Sequence, residues 1–337
     1  MDRILDPILT GIKNTDCDKG DYRILYEDYD IAERTNELLF FTKPELIRSI
    51  SEENIANIFS LILTRLSAFE IGIKTIILLT GLYLDENEII SRHYGIIDEV
   101  ARFPWDYFPE KTRRTFGEIF GKPADRLRIL GAFDYSKRFN IDHEKLAEFW
   151  LGHDIRKIAS GVYCVYDHER DVYLVNGFYP RMLNHFTSKD SIVIGFVLET
   201  DRSWKELRNN FLGTTDPAKS ATGSLREELL RKKDNLGIKT VSANFNGVHL
   251  SAGPVEALVE LIRFTCDNRT PLGLKSPSAF SFGKNLYHRF SSTEIAMILS
   301  NCRVSYRNKE YSVFDLTEEV DSNEAIARLS EAVVVRK

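Results

Sequence analysis

The chain has 337 residues, 43% of them hydrophobic, enough for two domains or for one domain with large additions around a sizeable core. Its formal net charge of −5 excludes a broad basic surface for nucleic acid, so any anion site must be local. The four cysteines (Cys17, Cys164, Cys266 and Cys302) stand far apart with no metal-type or redox-type spacing, and reduced thiols in a cytoplasmic protein are the expectation.

In chain order, residues 1–32 read as a polar N-terminal extension. Acidic and basic residues are mixed early (Asp2, Arg3, Asp6), which is not the pattern of a leader peptide. "NELLFFTKPEL" reads as a buried strand stopped at Pro44, which lacks the N–H a ladder needs. Ser49 with Glu52 predicts a capping box. Ile55, Ile58, Phe59, Ile62, Leu63, Leu66 and Phe69 then recur at helical spacing. "IKTIILLTGLYL" predicts a strand. That run is too short to span a bilayer and contains Lys74, so no membrane partner is expected. "DENEIISRHYG" predicts a short helix opening at Asp85.

From 96 to 176 the chain turns aromatic and charged ("RFPWDYFPEKTRRTF"). It then becomes helical ("DHEKLAEFW") and hairpin-like ("GVYCVYDHERDVYLVNG"). A helix near Tyr179–Phe186 and a strand, "SIVIGFVLE", follow. "SWKELRNNFLG" predicts a helix ended by Gly213. A long loop leads to a short helix, a strand holding His249, and a helix opening at Pro254. The tail, 266–337, starts Pro/Gly/Ser-rich and continues as helix, hairpin and helix. This order suggests a split βαβ unit with helices over an antiparallel sheet.

His249 is the residue with most to explain. It ends an apolar run, with Ser251, Ala252 and Gly253 behind it. One reading is a core histidine; the other is a nucleophile whose nitrogen receives a phosphoryl group and needs room. Its second nitrogen would need an acceptor to fix the tautomer. Glu260 falls on the helix side opposite Val255, Leu258, Val259 and Ile262, and it either reaches the imidazole or sits in solvent. Lys43 is a surface lysine or a phosphate ligand. The loop "TTDPAKSATGSL" before Arg226 is an ordinary turn or an anion cradle. Tyr94 and Asn246 are structural or are phosphate or sugar contacts.

Taken together, these segments resemble the nucleoside diphosphate kinase family. "FFTKPELI" looks like its opening strand with a Lys-Pro-Asp motif. "LGTTDPAKSATGSLREELL" is similar to its Gly-x-Thr-Asn/Asp-Pro…Gly-Thr-Ile-Arg segment, and "NGVHLSAGPVEAL" to its Asn-x-x-His-Gly-Ser-Asp-Ser motif. The resemblance covers 33–95 and 177–265, with 96–176 an inserted segment and 266–337 a C-terminal extension. It implies an α+β fold: a ferredoxin-like antiparallel sheet covered by helices, plus an inserted α/β segment and an α+β tail. His249 would be the phosphohistidine nucleophile, oriented by Glu260 and assisted by Ser251. Lys43, Tyr94, Arg208, Thr215 and Arg226 would bind nucleotide phosphates. Asn246, with Lys43, would contact ribose, and Tyr179 and Leu183 would clamp the base. The implied cofactor is Mg2+ held by phosphates and water, so no protein metal ligand is expected.

The implied partners are ATP and a nucleoside diphosphate, in a homo-oligomer expected to be a dimer. Departures from the family pattern are Asn209 for an arginine (Arg208 adjoining), Glu45 for the aspartate, Leu46 and Leu250 for glycines, Ala252 for an aspartate, and Thr222 for a proline. The insertion makes a kinase of a non-nucleotide small molecule the alternative. Asn209 and Leu250 make a nucleotide-binding regulatory module a further one.

Overall fold

The computed structural model describes residues 2–269, 273 and 275–335. It has mixed helix and sheet content and divides into two compact units: 1–83 with 189–337, and 84–188. The segments around Tyr94 and Tyr179, read from sequence as part of the first unit, belong to the second. The physical reason is packing: Tyr94, Ile97, Tyr179 and Leu183 join one apolar cluster there.

The first unit is built on a five-stranded sheet. Its elements are α1 (Asp2–Lys13), β1 (Tyr22–Glu27), β2 (Asn36–Thr42), α2 (Glu52–Ala68), β3 (Gly72–Thr80), β4 (Ile192–Thr200), α3 (Leu225–Arg231), β5 (Val248–Leu250) and α4 (Pro254–Thr265). The strand order is β1-β3-β4-β2-β5, and every neighbouring pair is antiparallel. Strands β2 and β3, joined through α2, are held apart by β4, which is antiparallel to both. The N-terminal segment is more than an extension: β1 pairs with β3 and widens the sheet.

Local chemistry accounts for the elements. Strand β2 is buried along its whole length and ends before Pro44. Helix α2 starts two residues later than the Ser49 reading: Ser51 is the N-cap and accepts the Asn54 N–H at 3.2 Å. Ser49 instead takes a positive φ of 59°. Strand β3 stops at Thr80, and residues Gly81–Glu86, read as strand and as the helix start at Asp85, form a helix; the next runs Ile89–His93. The Trp204 helix closes in a wide turn over Leu207–Leu212, and Gly213 follows at φ 91°. A side chain at Gly213 would strike Ser224 Oγ and Ser220 Oγ at 2.6 and 2.7 Å, so both the space and the φ require glycine.

Alternation along the strands sorts the sheet's two faces. Leu38, Phe40, Ile76, Leu78, Ile194, Phe196, Leu198, Val248 and Leu250 face a core filled by Ile8 of α1 and by Ile58, Phe59 and Ile62 of α2. On the opposite face one row runs across four strands: Ile77, Gly195, Phe41, His249. Helix α4 covers that face, with Phe264 stacked on Phe41 at 5.1 Å between ring centroids. At the far end of the same face, Lys74 Nζ bridges Glu37 at 2.8 Å and Glu199 at 3.0 Å.

The tail belongs to this unit. Its helices Val313–Thr317 and Ser322–Glu331 pack against α4. A three-stranded sheet places Arg303–Tyr306 between Lys309–Ser312 and Val333–Val334. Part of the Pro/Gly/Ser-rich stretch after Arg269 lies outside the described residues.

The second unit has its own four-stranded sheet, ordered Ile129–Gly131, Val172–Val175, Val162–Asp167, Arg156–Ala159. The first pair is parallel and the others antiparallel. The hairpin read from sequence is the central pair. Asp167 fixes its turn by accepting the Glu169 and Arg170 N–H groups at 3.0 and 3.3 Å. Among the described residues, no helix is long and apolar enough to cross a membrane.

Candidate active site

The site grows from the edge strand β5. Alternation turns His249 toward α4, where its ring stacks on Phe41 at 4.5 Å and 19°. On α4, Ala257, Glu260 and Phe264 share one stripe by their spacing, and all three are buried. The stripe that seats Phe264 on Phe41 therefore brings Glu260 to the imidazole. His249 Nε2 lies 3.0 Å from Glu260 Oε1. Ser251, two residues along, donates its hydroxyl to Glu260 Oε2 and accepts the Leu39 N–H at 3.2 Å.

Glu260 is 1% exposed, which removes the solvated-carboxylate reading. The His249 side chain keeps 18% of its surface. A carboxylate this deep needs donors, and the imidazole and the hydroxyl supply them. If Nε2 donates to Glu260, a neutral ring carries its lone pair on Nδ1.

Lys43 and Asn246 meet: Lys43 Nζ donates to Asn246 Oδ1 at 2.8 Å. Asn246 is 2% exposed, and its Nδ2 donates to Thr215 O at 3.2 Å. Two backbone bonds lock this corner, from Lys43 N to Gly247 O at 2.8 Å and from Gly247 N to Glu45 Oε1 at 2.9 Å. Burial pulls the Lys43 ammonium down to about 8; Glu45 opposes the shift and Arg226 adds to it.

The two arginines flank the histidine along β5. Arg226, 7% exposed, donates to Gly213 O and to Val248 O, each at 3.0 Å. Arg208 donates to Leu250 O at 3.2 Å and has Glu319 at 3.9 Å. Asn209, where the resemblance implies an arginine, bonds back to Lys205 O in its own helix.

Thr215 is exposed and joins this group through its carbonyl. Tyr94 and Leu183 are half-buried in the second unit. Tyr179 departs from its expected role. Its ring is 0% exposed and packs in that unit's core with Phe133 at 6.1 Å, so it offers no face for a base. Desolvation, and then the Asp98 carboxylate, push its hydroxyl far above the usual phenol range.

Two contributors went unread in the sequence. Phe41 forms the floor under His249, and strand alternation was the available signal. Glu256, one turn before Glu260, has its carboxyl pushed up to about 8, first by burial and then by Glu260, with Arg208 opposing. The i, i+4 spacing of two glutamates on a buried helix was its signal.

No protein-family model matches the chain, and no curated protein matches it. Among solved structures, the chain is similar to a nucleoside diphosphate kinase from Encephalitozoon cuniculi at 13% identity and a TM-score of 0.35, covering 70% of this chain and 92% of that one. A nucleoside diphosphate kinase family protein from Babesia bovis gives 15% identity and 0.33, covering 75% and 99%. An NDP kinase from Pyrobaculum aerophilum gives 15% identity and 0.35, covering 69% and 96%. At such values the likeness leaves function to be argued from the side chains.

Proposed function

We propose that the protein is a nucleoside diphosphate kinase-like phosphotransferase on a ferredoxin-like sheet, moving the γ-phosphoryl of ATP through His249 to a nucleoside diphosphate. The observation that carries this reading is the Ser251–Glu260–His249 chain: a buried carboxylate gripping Nε2 of a partly open imidazole at 3.0 Å. In this reading Nε2 donates to Glu260 and Nδ1 of the neutral ring is the nucleophile.

Nδ1 attacks the γ-phosphorus in line. The N–P bond forms as the bond to the β-phosphate oxygen breaks, and ADP leaves. Positive charge appearing on the ring is balanced through Nε2–H by Glu260. In the return step the terminal oxygen of the acceptor attacks phosphorus, the N–P bond breaks, and the ring regains its lone pair. Lys43 and Arg226 supply positive charge near the moving group, and Arg208 and Thr215 are the further phosphate-side candidates. Asn246 both orients Lys43 and offers contact to a ribose. Both Glu260 oxygens are engaged by His249 and Ser251, which fits a Mg2+ ion carried by the phosphates and water. Such an ion would neutralise phosphate charge.

A second reading, an acceptor without a base, is favoured by the burial of Tyr179. One experiment tests both. The full chain is incubated with Mg2+ and ATP labelled at the γ-phosphate, and acid-labile phosphohistidine is measured. Discharge by GDP, CDP or UDP supports the first reading. A label that nucleotides leave in place and a small-molecule hydroxyl acceptor removes supports the second. Binding of ATP without label refutes both.

A further inference from the structure

The proposed roles make no use of the strap in the tail. Residues 317–321 lie against the loop that follows His249. Glu319 N donates to Ala252 O at 2.9 Å. Gly253 has no Cβ, and one placed there would sit 2.3 Å from Thr317 O, so main chain meets main chain at this point. Asp321 Oδ1 accepts from Trp204 N at 3.0 Å and Asn36 Nδ2 at 3.1 Å, which ties the strap to β2 and to the helix that carries Arg208. Leu316 and Val320 are buried on either side.

Glu319 itself has φ 55°, a left-handed conformation that glycine or asparagine adopts more readily. Such strain persists where the surroundings over-determine it, and it draws attention to the side chain held there. That side chain is exposed, and its carboxylate stands 3.9 Å from Arg208 Nε. The Arg208 guanidinium is anchored on Leu250 O, one residue from His249.

We propose that Glu319 is a positioning residue for phosphate binding: the strap holds its carboxylate against Arg208 and so limits the positive charge that reaches the His249 pocket. This rests on the phosphotransfer reading. Two further carboxylates, Glu318 beside it on the strap and Glu256 on α4, lie in the same neighbourhood. Arg208 thus has acidic side chains as neighbours beside its carbonyl anchor. An incoming triphosphate competes with that acid for the guanidinium.

The test is ATP titration in the presence of Mg2+, on the full chain, at low and high salt, beside the acid-labile labelling of His249. Glu319→Gln keeps the shape and the backbone bonds. It is expected to bind ATP roughly two- to fivefold more tightly, the range of a partly exposed ion pair. Labelling at saturating ATP should be unchanged, and the gain should shrink at high salt. Glu319→Asp keeps the charge and should stay near the parent affinity. In an Arg208→Gln background, Glu319→Gln should add nothing. Unchanged or weaker binding by Glu319→Gln, in a chain that still labels, overturns the proposal. So does a gain that survives Arg208→Gln. A parent protein that binds no ATP and takes no label sinks the phosphotransfer reading, and this inference with it.

Discussion

Two ends of one sheet face carry buried carboxylates, and the fold treats them differently. At the far end, Glu37 and Glu199 share the Lys74 ammonium; Glu37 also accepts the Ser281 N–H, and Glu199 accepts the Arg34 N–H at 2.7 Å. Burial drags the Lys74 ammonium down, but Glu37 and Glu199 more than offset it and the net shift is upward. At the near end stands Glu260 on α4, 1% exposed. It is satisfied by a hydroxyl and an imidazole. The first arrangement sets one ammonium between two carboxylates and offsets part of their charge. The second sets the carboxylate against an imidazole whose side chain keeps 18% of its surface. On the proposed reading, the difference separates a carboxylate that holds the fold from one that orients the histidine.

The largest test of this contrast is His249→Ala, which is expected to abolish acid-labile labelling by ATP while folding is retained; a labelled variant would remove His249 from its role. Lys74→Ala strikes the other end. It strands two buried carboxylates and is expected to destabilise by about 3–5 kcal/mol, read by denaturant or thermal unfolding. Where the variant remains folded, its labelling rate should match the parent's. Loss of labelling in a folded Lys74→Ala chain would break the division between the two ends.

Glu260→Gln is expected to slow labelling by roughly ten- to a hundredfold, the scale for removing a partner that orients a functional histidine, with a smaller effect on ATP affinity. The smallest effect is in pH. With Lys43 pulled down to about 8 by burial, kcat/KM should fall above that pH as the ammonium is lost, and Lys43→Arg should move the limb upward. Glu256 titrates in the same region, so Glu256→Gln should leave the limb where it was. On stability the two groups have opposite signs. The unfolded chain keeps the lysine proton up to 10.5, so between about 8 and 10.5 rising pH favours folding through Lys43. Between 4.5 and about 8 the folded chain holds the Glu256 proton that the unfolded chain has lost, so rising pH disfavours folding there.

Much of the near end was legible in sequence because its signals are local. Smallness after His249, an acid two to three helical turns on, and a lysine at a strand end each appear within a short window. What escaped depends on distant pairing. Strand β1 is half-exposed, and its partner β3 lies some fifty residues on, so its short run "YRILYE" reads as polar coil. The unit boundary also escaped, because the apolar faces around Tyr94 and Tyr179 look alike whichever core they enter. Tyr179 shows the hazard: a tyrosine placed by resemblance at a cleft is, in the structure, wholly enclosed.

Among the described residues strand β5 has a neighbouring strand on one side only, yet its outer rim is not open. Its pairing with β2 turns the carbonyls of Val248 and Leu250 away from the sheet, and Arg226 and Arg208 cap them. The two guanidinium groups act as end-stops, so another chain cannot extend the ladder here without first displacing a cation from each side of the histidine.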